Sequence, residues 1–442
     1  MYKQAGRVIS ARSSPLVPTD VILNTSSCRG IIELGDRVFV YAPIGLKMKA
    51  EQCRDRRCGV QIGGIVIALI LSSALLLFVP GSTGAAAAQD REPGYWRTDL
   101  VSNGFIWTPN WDSSLVNPWG IACPPDAGPW WVADEGRGRA TLYTGEGMAF
   151  PGLAPLVVLT PAGHGSYKNS APTGMVFNGT DDFEIAPGAP ARFILVTREG
   201  AITAYNSDVD RHYAVLIRDD ASAVYTGVAI AVKHGDNALY VANFRQKRID
   251  IFDSDFGRVL PGSRAFTDPL VPDDFSPYNI QNIGGYLFVA FAKPSPDGLN
   301  AVAGEDMGFV DAFDADGNLL KRLEQGPWMN IPWGMSLAPR EFGLFGGYLL
   351  IGNSGSGRIA AFDFESGTFA GYLHDETDNA VLSITGLHAL GFGNGDLAGP
   401  VTSLYFSAGF REGAPNIFGA ITTGPVAGIT DTVSRPGPPT LY

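Results

Sequence analysis

Asn330-Ile331-Pro332-Trp333-Gly334-Met335 has a near copy far upstream, Asn117-Pro118-Trp119-Gly120-Ile121. Weaker echoes are Pro172-Thr173-Gly174-Met175, Tyr225-Thr226-Gly227-Val228, Pro277-Tyr278-Asn279-Ile280 and Thr385-Gly386-Leu387. Aligned on Pro118, the copies fall at 118, 172, 225, 277, 332 and 385, in steps of 54, 53, 52, 55 and 53 residues. Self-similarity this regular marks stacked supersecondary units. After each copy comes an apolar run such as Trp130-Trp131-Val132-Ala133-Asp134, Leu239-Tyr240-Val241-Ala242-Asn243 or Leu349-Leu350-Ile351-Gly352-Asn353. A polar turn then leads to a third run ending in an aromatic residue, as in Ile251-Phe252-Asp253, Ala312-Phe313-Asp314 and Ala361-Phe362-Asp363. Short β-branched and aromatic runs bounded by Gly, Asn and Asp read as strands. Four strands per unit, at a pitch of about 50 residues, predict an all-β fold, a six-bladed β-propeller of four-stranded antiparallel blades over 95–422.

The sixth unit lacks an outer strand of its own, and Thr98-Asp99-Leu100-Val101-Ser102 lacks a blade. Lending the second to the first closes the ring and removes two free sheet edges. Connections within blades one, three and five read as short. Blade two carries an insertion from Asn178 to Pro190. Blade four carries one from Lys293 to Met307, predicted to overhang the face where the six inner strands begin. Long loops on a rigid scaffold are where function concentrates. The glycines at 120, 174, 227, 334 and 386 read as sites where inner-strand backbones approach closely.

Net charge is −12, with 45% hydrophobic and 17% charged residues. A core is available, and the acidic balance argues against nucleic acid as a partner. Residues 1–47 bear no relation to the repeat and read as an over-extended start or a leader. Over 48–88, Lys49, Arg54, Arg56 and Arg57 precede an apolar run from Ile62 to Val79 and then Ala85-Ala86-Ala87-Ala88. That order predicts a signal peptide cut after Ala88, hence a secreted or periplasmic protein. If uncut, residues 62–79 are long enough to anchor it in a membrane. Three of the four cysteines, Cys28, Cys53 and Cys58, precede the predicted cut, which leaves Cys123 as a buried apolar thiol. Residues 423–442 are rich in Gly and Pro and read as a disordered tail.

No Walker, dinucleotide or nucleophile-elbow pattern sits between a strand and a helix, and the five histidines form no metal-spaced cluster. Asp314-Ala315-Asp316-Gly317-Asn318 begins like a calcium loop but lacks its sixth-position Gly and twelfth-position Glu, and reads as a hairpin turn. Candidate ligand-binding residues are Trp119 and Trp333 near the axis, Lys293 and Asp297 on the blade-four insertion, and His388 on the sixth inner strand. Asn117, Asn279 and Asn330 at the repeated entry position, with Asp134 at a second-strand end, supply oxygens of the kind calcium takes. Catalytic residues are not indicated.

Leu115-Val116-Asn117-Pro118-Trp119-Gly120-Ile121-Ala122, Tyr240-Val241-Ala242-Asn243-Phe244 and Asn279-Ile280-Gln281-Asn282-Ile283-Gly284-Gly285 resemble an uncharacterised family of exported bacterial propeller proteins. The resemblance spans residues 98–421 and brings no activity with it. A looser similarity to NHL repeats implies six blades. Two functions stay open. One is an exported binding propeller, monomeric, taking a protein, glycan or small-molecule ligand on its entry face. The other is a metal-dependent lactonase- or esterase-like hydrolase with a divalent ion in the channel.

Overall fold

The computed structural model describes residues 30–34, 37–41, 93–163, 170–410 and 413–424. The predicted signal segment and nearly all of the predicted tail lie outside the described residues. By its contacts the chain splits into two units, residues 1–83 and 84–442. In the first, Gly30–Leu34 pairs antiparallel with Arg37–Tyr41.

The second unit is the propeller. Blade one is built from Pro118–Ala122, Trp130–Asp134, Arg139–Tyr143 and Val157–Leu159. Blade two has Pro172–Phe177, Phe193–Thr197, Ala201–Tyr205 and Val215–Asp219. Blade three has Tyr225–Lys233, Asp236–Asn243, Arg248–Phe252 and Arg258–Val259. Ser276–Ile283, Tyr286–Ala292, Phe309–Phe313 and Leu319–Arg322 form blade four. Pro332–Leu337, Leu349–Asn353, Ile359–Phe362 and Phe369–Tyr372 form blade five. The sixth blade pairs Leu387–Phe392, Leu404–Ala408 and Ile417–Thr422, and its outer strand is the N-terminal Trp96–Ser102. Register there runs from Ile417 opposite Ser102 to Thr422 opposite Trp96, so the predicted closure holds. A two-residue strand, Asn110–Trp111, adds parallel to it.

Second strands are buried on both faces, which is why they read as unbroken apolar runs rather than alternating ones. Six hydrophobic clusters fill the gaps between neighbouring blades. A seventh lies on the axis and draws Trp119, Tyr278, Trp333 and Ala389 from blades one, four, five and six. Away from this axial cluster each blade packs on its two neighbours, and the ring must close before any of it is secure.

Two expectations need correction. Blades one and five do not have uniformly short connections: residues 144–156 and 338–348 are long, anchored by the partly buried Phe150 and by the buried Phe342 and Phe345. The sixth repeat begins at Leu387, not at Thr385, as the pairing of Leu390 with Phe406 shows, like that of Met335 with Ile351. The last step is therefore 55 residues, and Gly386 is a turn glycine at φ 76° ahead of the inner strand. Its place in the ring is taken by Ala389, between the His388 carbonyl and the Leu390 amide that crowd Gly334.

The other ring glycines are required by contact. A Cβ on Gly174 would lie 2.7 Å from Gly227 Cα, and one on Gly120 would lie 2.5 Å from the Thr173 carbonyl oxygen. Backbone cannot yield as a side chain can. Gly174→Ala is expected to cost about 1–3 kcal/mol through overpacking, while Gly262→Ala, with nothing within 4 Å, should leave the denaturant midpoint unmoved. Equal midpoints for the two variants would contradict the close-approach account. Deleting residues 95–105 should abolish cooperative thermal unfolding, because blade six then loses its outer strand.

Candidate functional site at the channel mouth

With the sixth repeat set in register, one position in each inner strand faces its five equivalents around the axis: Trp119, Thr173, Thr226, Tyr278, Trp333 and His388. Their side chains meet. The Trp119 ring stands edge-on to Trp333 and to Tyr278, at 6.0 Å in each case, and stacks on His388 at 4.5 Å. Trp333 Nε1 donates to the Thr226 carbonyl at 3.0 Å, and Thr173 Oγ1 donates to the Tyr225 carbonyl at 2.8 Å. Aromatic rings from four blades thereby fill the axis at this level. Cavities lie on either side of it: one of about 140 Å³ bordered by Gly120, Gly174, Asn279 and Trp333, and one of about 290 Å³ at the mouth on the entry face.

The mouth cavity is lined by Trp119, Tyr278, Ile331 and Phe410 on its apolar side and by Asn117, Arg198, Asn300, Ser354 and His388 on its polar side. Arg198, just past the second strand of blade two, spans it. Its Nη1 donates to Glu135 Oε1 at 3.1 Å, and its Nη2 donates to the Leu299 carbonyl at 2.6 Å and to Asn300 Oδ1 at 3.0 Å. The guanidinium also sits 5.9 Å from the Trp119 ring centre, within cation–π range. Glu135 accepts a second bond, from Asn117 Nδ2 at 2.8 Å. One arginine therefore ties the rim of blade one to the blade-four insertion, which overhangs the mouth as its position in the repeat predicts.

Asn117 and Ile331 sit immediately before the prolines of their repeats, with φ of 48° and 55°. Left-handed backbone is uncommon for any side chain and a true outlier for a β-branched one. Asn117 N–H donates to Asn416 Oδ1 at 2.9 Å and Ile331 N–H to the Met307 carbonyl at 3.0 Å. Strain of this kind persists only where surroundings impose it, and it collects at binding sites.

Three buried polar atoms on the cavity's lining side chains have no hydrogen-bond partner: Trp119 Nε1, His388 Nδ1 and Ser354 Oγ. A fourth, Thr226 Oγ1, belongs to the same axial ring. Leaving such a group unpaired costs about 1–3 kcal/mol, and native proteins rarely do so without reason. Burial pushes the His388 imidazolium down to about 3, with nearby Arg198 adding to the effect and the Gly386 and Pro118 backbone opposing it. His388 is therefore neutral at neutral pH. Tyr278 is held well above the ordinary phenol range, first by burial, and stays protonated.

The predicted candidates fall in different places. Trp119 and His388 line the mouth cavity, while Trp333 lies against the smaller one. Lys293 and Asp297 are on the overhanging insertion but do not line the cavity: Lys293 pairs with Asp274 at 2.7 Å, and Asp297 accepts from Ser295 Oγ at 2.6 Å. Asn279 and Asn330 spend their amide oxygens on the backbone N–H groups of Ile280 and Gly304. Asp134 is fully buried, bonded to Thr141 Oγ1 at 2.8 Å, and pushed up by burial toward the neutral acid. Among the described residues no group of three or more His, Cys, Asp and Glu side chains is placed to hold a metal ion. Arg198, Tyr278, Ser354, Asn300 and Phe410 were not among the candidates. Tyr278 occupies the Trp119 position of its repeat and was reachable from the alignment; Arg198 and Ser354 follow second-strand ends and carry no local signal.

No protein-family model matches the chain. An uncharacterised protein of Acanthamoeba polyphaga mimivirus is 32% identical over 337 residues, covering 74% of this chain and 80% of the viral one. A second from the same virus is 31% identical over 341 residues, covering 74% and 85%. The chain belongs to the family of these viral proteins. Its relatives here are viral, whereas the resemblance in the sequence pointed to exported bacterial proteins. Among solved structures it is similar to a catalytically inactive virginiamycin B lyase from Staphylococcus aureus bound to quinupristin, with TM-score 0.44 and 11% identity over 74% of this chain and 98% of that one. A glucose dehydrogenase gives TM-score 0.42 and 12% identity, over 75% and 99%.

A titration checks the His388 environment. An imidazole held at about 3 when folded and at about 6.5 when unfolded contributes stability that is present above pH 6.5 and lost as pH falls toward 3. Between pH 7 and 4.5 the loss is about 2–3 kcal/mol. Asp311, raised to about 8 mainly by burial and then by Asp268, has the opposite slope but is common to any variant at 388. His388→Gln should therefore lose less stability than wild type over that interval. Parallel curves would show an imidazole that titrates normally.

Proposed function

We propose that this chain is a binding propeller that takes a small ligand in the mouth cavity on its entry face. One observation carries the reading: the unpaired polar atoms of Trp119, His388 and Ser354 all belong to side chains lining a single concave site. A concave site with a few converging polar groups is the usual form of a small-molecule site. Its volume, at the low end for such sites, suits a compact ligand better than a protein loop. The one carboxylate at the mouth among the described residues, Glu135, is held by Arg198 and Asn117, which favours binding over metal-dependent hydrolysis. Export is part of the proposal, on the strength of the basic, apolar and Ala-rich order of residues 49–88.

Ala301 lines the cavity, and Ala301→Trp fills it. A chemically diverse set of small molecules, screened by ligand-observed NMR, should contain members that bind wild type and fail to bind this variant, at unchanged melting temperature. If every binder engages both proteins alike, the mouth is not the site. Expression in a bacterial host followed by N-terminal sequencing of the released protein should show a chain starting near Gln89; a chain retaining residue 60 would defeat the export proposal.

A further inference from the structure

We infer that the mouth cavity is selective for a small neutral molecule carrying acceptor oxygens, and rejects anions and cations of the same size. This rests on the reading of the mouth as the binding site and adds the chemistry of what it binds.

Charge is the first argument. Among the described residues, the only charged side chain lining the cavity is Arg198. It is already paired to Glu135 and bonded to Leu299 and Asn300. An anionic ligand would have to displace Glu135, which in turn holds Asn117 on the rim. A cation would meet the guanidinium, and the Trp119 face that would otherwise attract it is already taken by that guanidinium and by His388. His388 gives no second positive charge, because it is buried beside Arg198. Any net charge entering here would be desolvated without a free counter-charge among the described residues, which is the costly case.

Hydrogen-bond polarity is the second. An indole N–H donates only, so whatever satisfies Trp119 Nε1 is an acceptor. Ser354 Oγ both donates and accepts, and neutral His388 Nδ1 does one or the other by tautomer. One obligatory donor and two adaptable groups suit an oxygen-rich neutral ligand. Its oxygens come from the hydroxyls of a saccharide or from the carbonyl of a cyclic ester or amide. The apolar wall of Ile331 and the half-exposed Phe410 leaves room for the ligand's carbon face.

Two probe series separate charge from shape and the two oxygen sources from each other. Galactose, galacturonate and galactosamine differ in charge at one size; δ-valerolactone and its ring-opened hydroxy acid do the same for a carbonyl. Calorimetric titration of wild type should show saturable binding of galactose or of the lactone, and at least tenfold weaker binding of the charged counterparts. Whichever series binds identifies the oxygen source. Trp119→Phe keeps the ring and removes the N–H, and should weaken the neutral ligand about five- to thirtyfold. Trp130→Phe is the control, since its Nε1 is already bonded to the Ala398 carbonyl between blades one and six; affinity there should match wild type. Binding of a charged probe as tight as its neutral partner would overturn the inference, as would an unchanged affinity in Trp119→Phe, or no binding in either series. A charged ligand that binds wild type but not Ala301→Trp would overturn neutrality alone and leave the site standing.

Discussion

Everything in this molecule follows from how closely six inner strands crowd one axis. Gly120, Gly174, Gly227 and Gly334 each lack a Cβ where the next blade's backbone or side chain already stands. At Gly227 the atom in the way is Asn279 Oδ1, so blade four substitutes an amide for a glycine and bonds across to the Trp333 carbonyl. Close packing fixes the six strands rigidly, and the residue just before each of these positions is thereby aimed at the centre. In two of the blades that residue is tryptophan, which is large enough for the rings to meet on the axis. The same contact that closes the ring therefore closes the channel and creates a floor for the cavity above it.

That floor is apolar in bulk and polar at selected atoms. Trp333 turns its N–H to backbone, and the structure spends that donor on stability. Trp119, two blades further round, keeps its N–H unpaired although the two occupy the same position in their repeats. Equivalent residues in equivalent blades thus serve different ends. The difference arises from their neighbours, because Trp119 lies under Arg198 and against His388 while Trp333 lies over Thr226.

Periodicity made the architecture readable. Aromatic and β-branched runs recurred at nearly constant spacing, and a strand without a blade matched a blade without a strand, so ring closure could be read before any contact was known. The sixth repeat was misplaced by two residues because Gly386 supplied a glycine near the expected position, although for a left-handed turn rather than for close approach. That slip hid the equivalence of His388 with Trp119. Arg198, Ser354 and Asn300 were illegible for a different reason. They lie on three loops from different blades, and only the ring brings them together. Entry-position asparagines looked like cation ligands, yet two of them cap backbone N–H groups, a role that leaves the same mark in the sequence.

The central claim is that Trp119, unlike Trp333, holds a donor in reserve for a ligand. Indole N–H resonances of ¹⁵N-tryptophan-labelled protein, assigned by Trp119→Phe and Trp333→Phe, measure this directly. On addition of a ligand that competes with the Ala301→Trp block, the Trp119 N–H should move downfield and gain protection from hydrogen exchange, while the Trp333 N–H stays in place. A Trp119 signal that neither shifts nor gains protection, or a Trp333 signal that moves equally, would contradict the account.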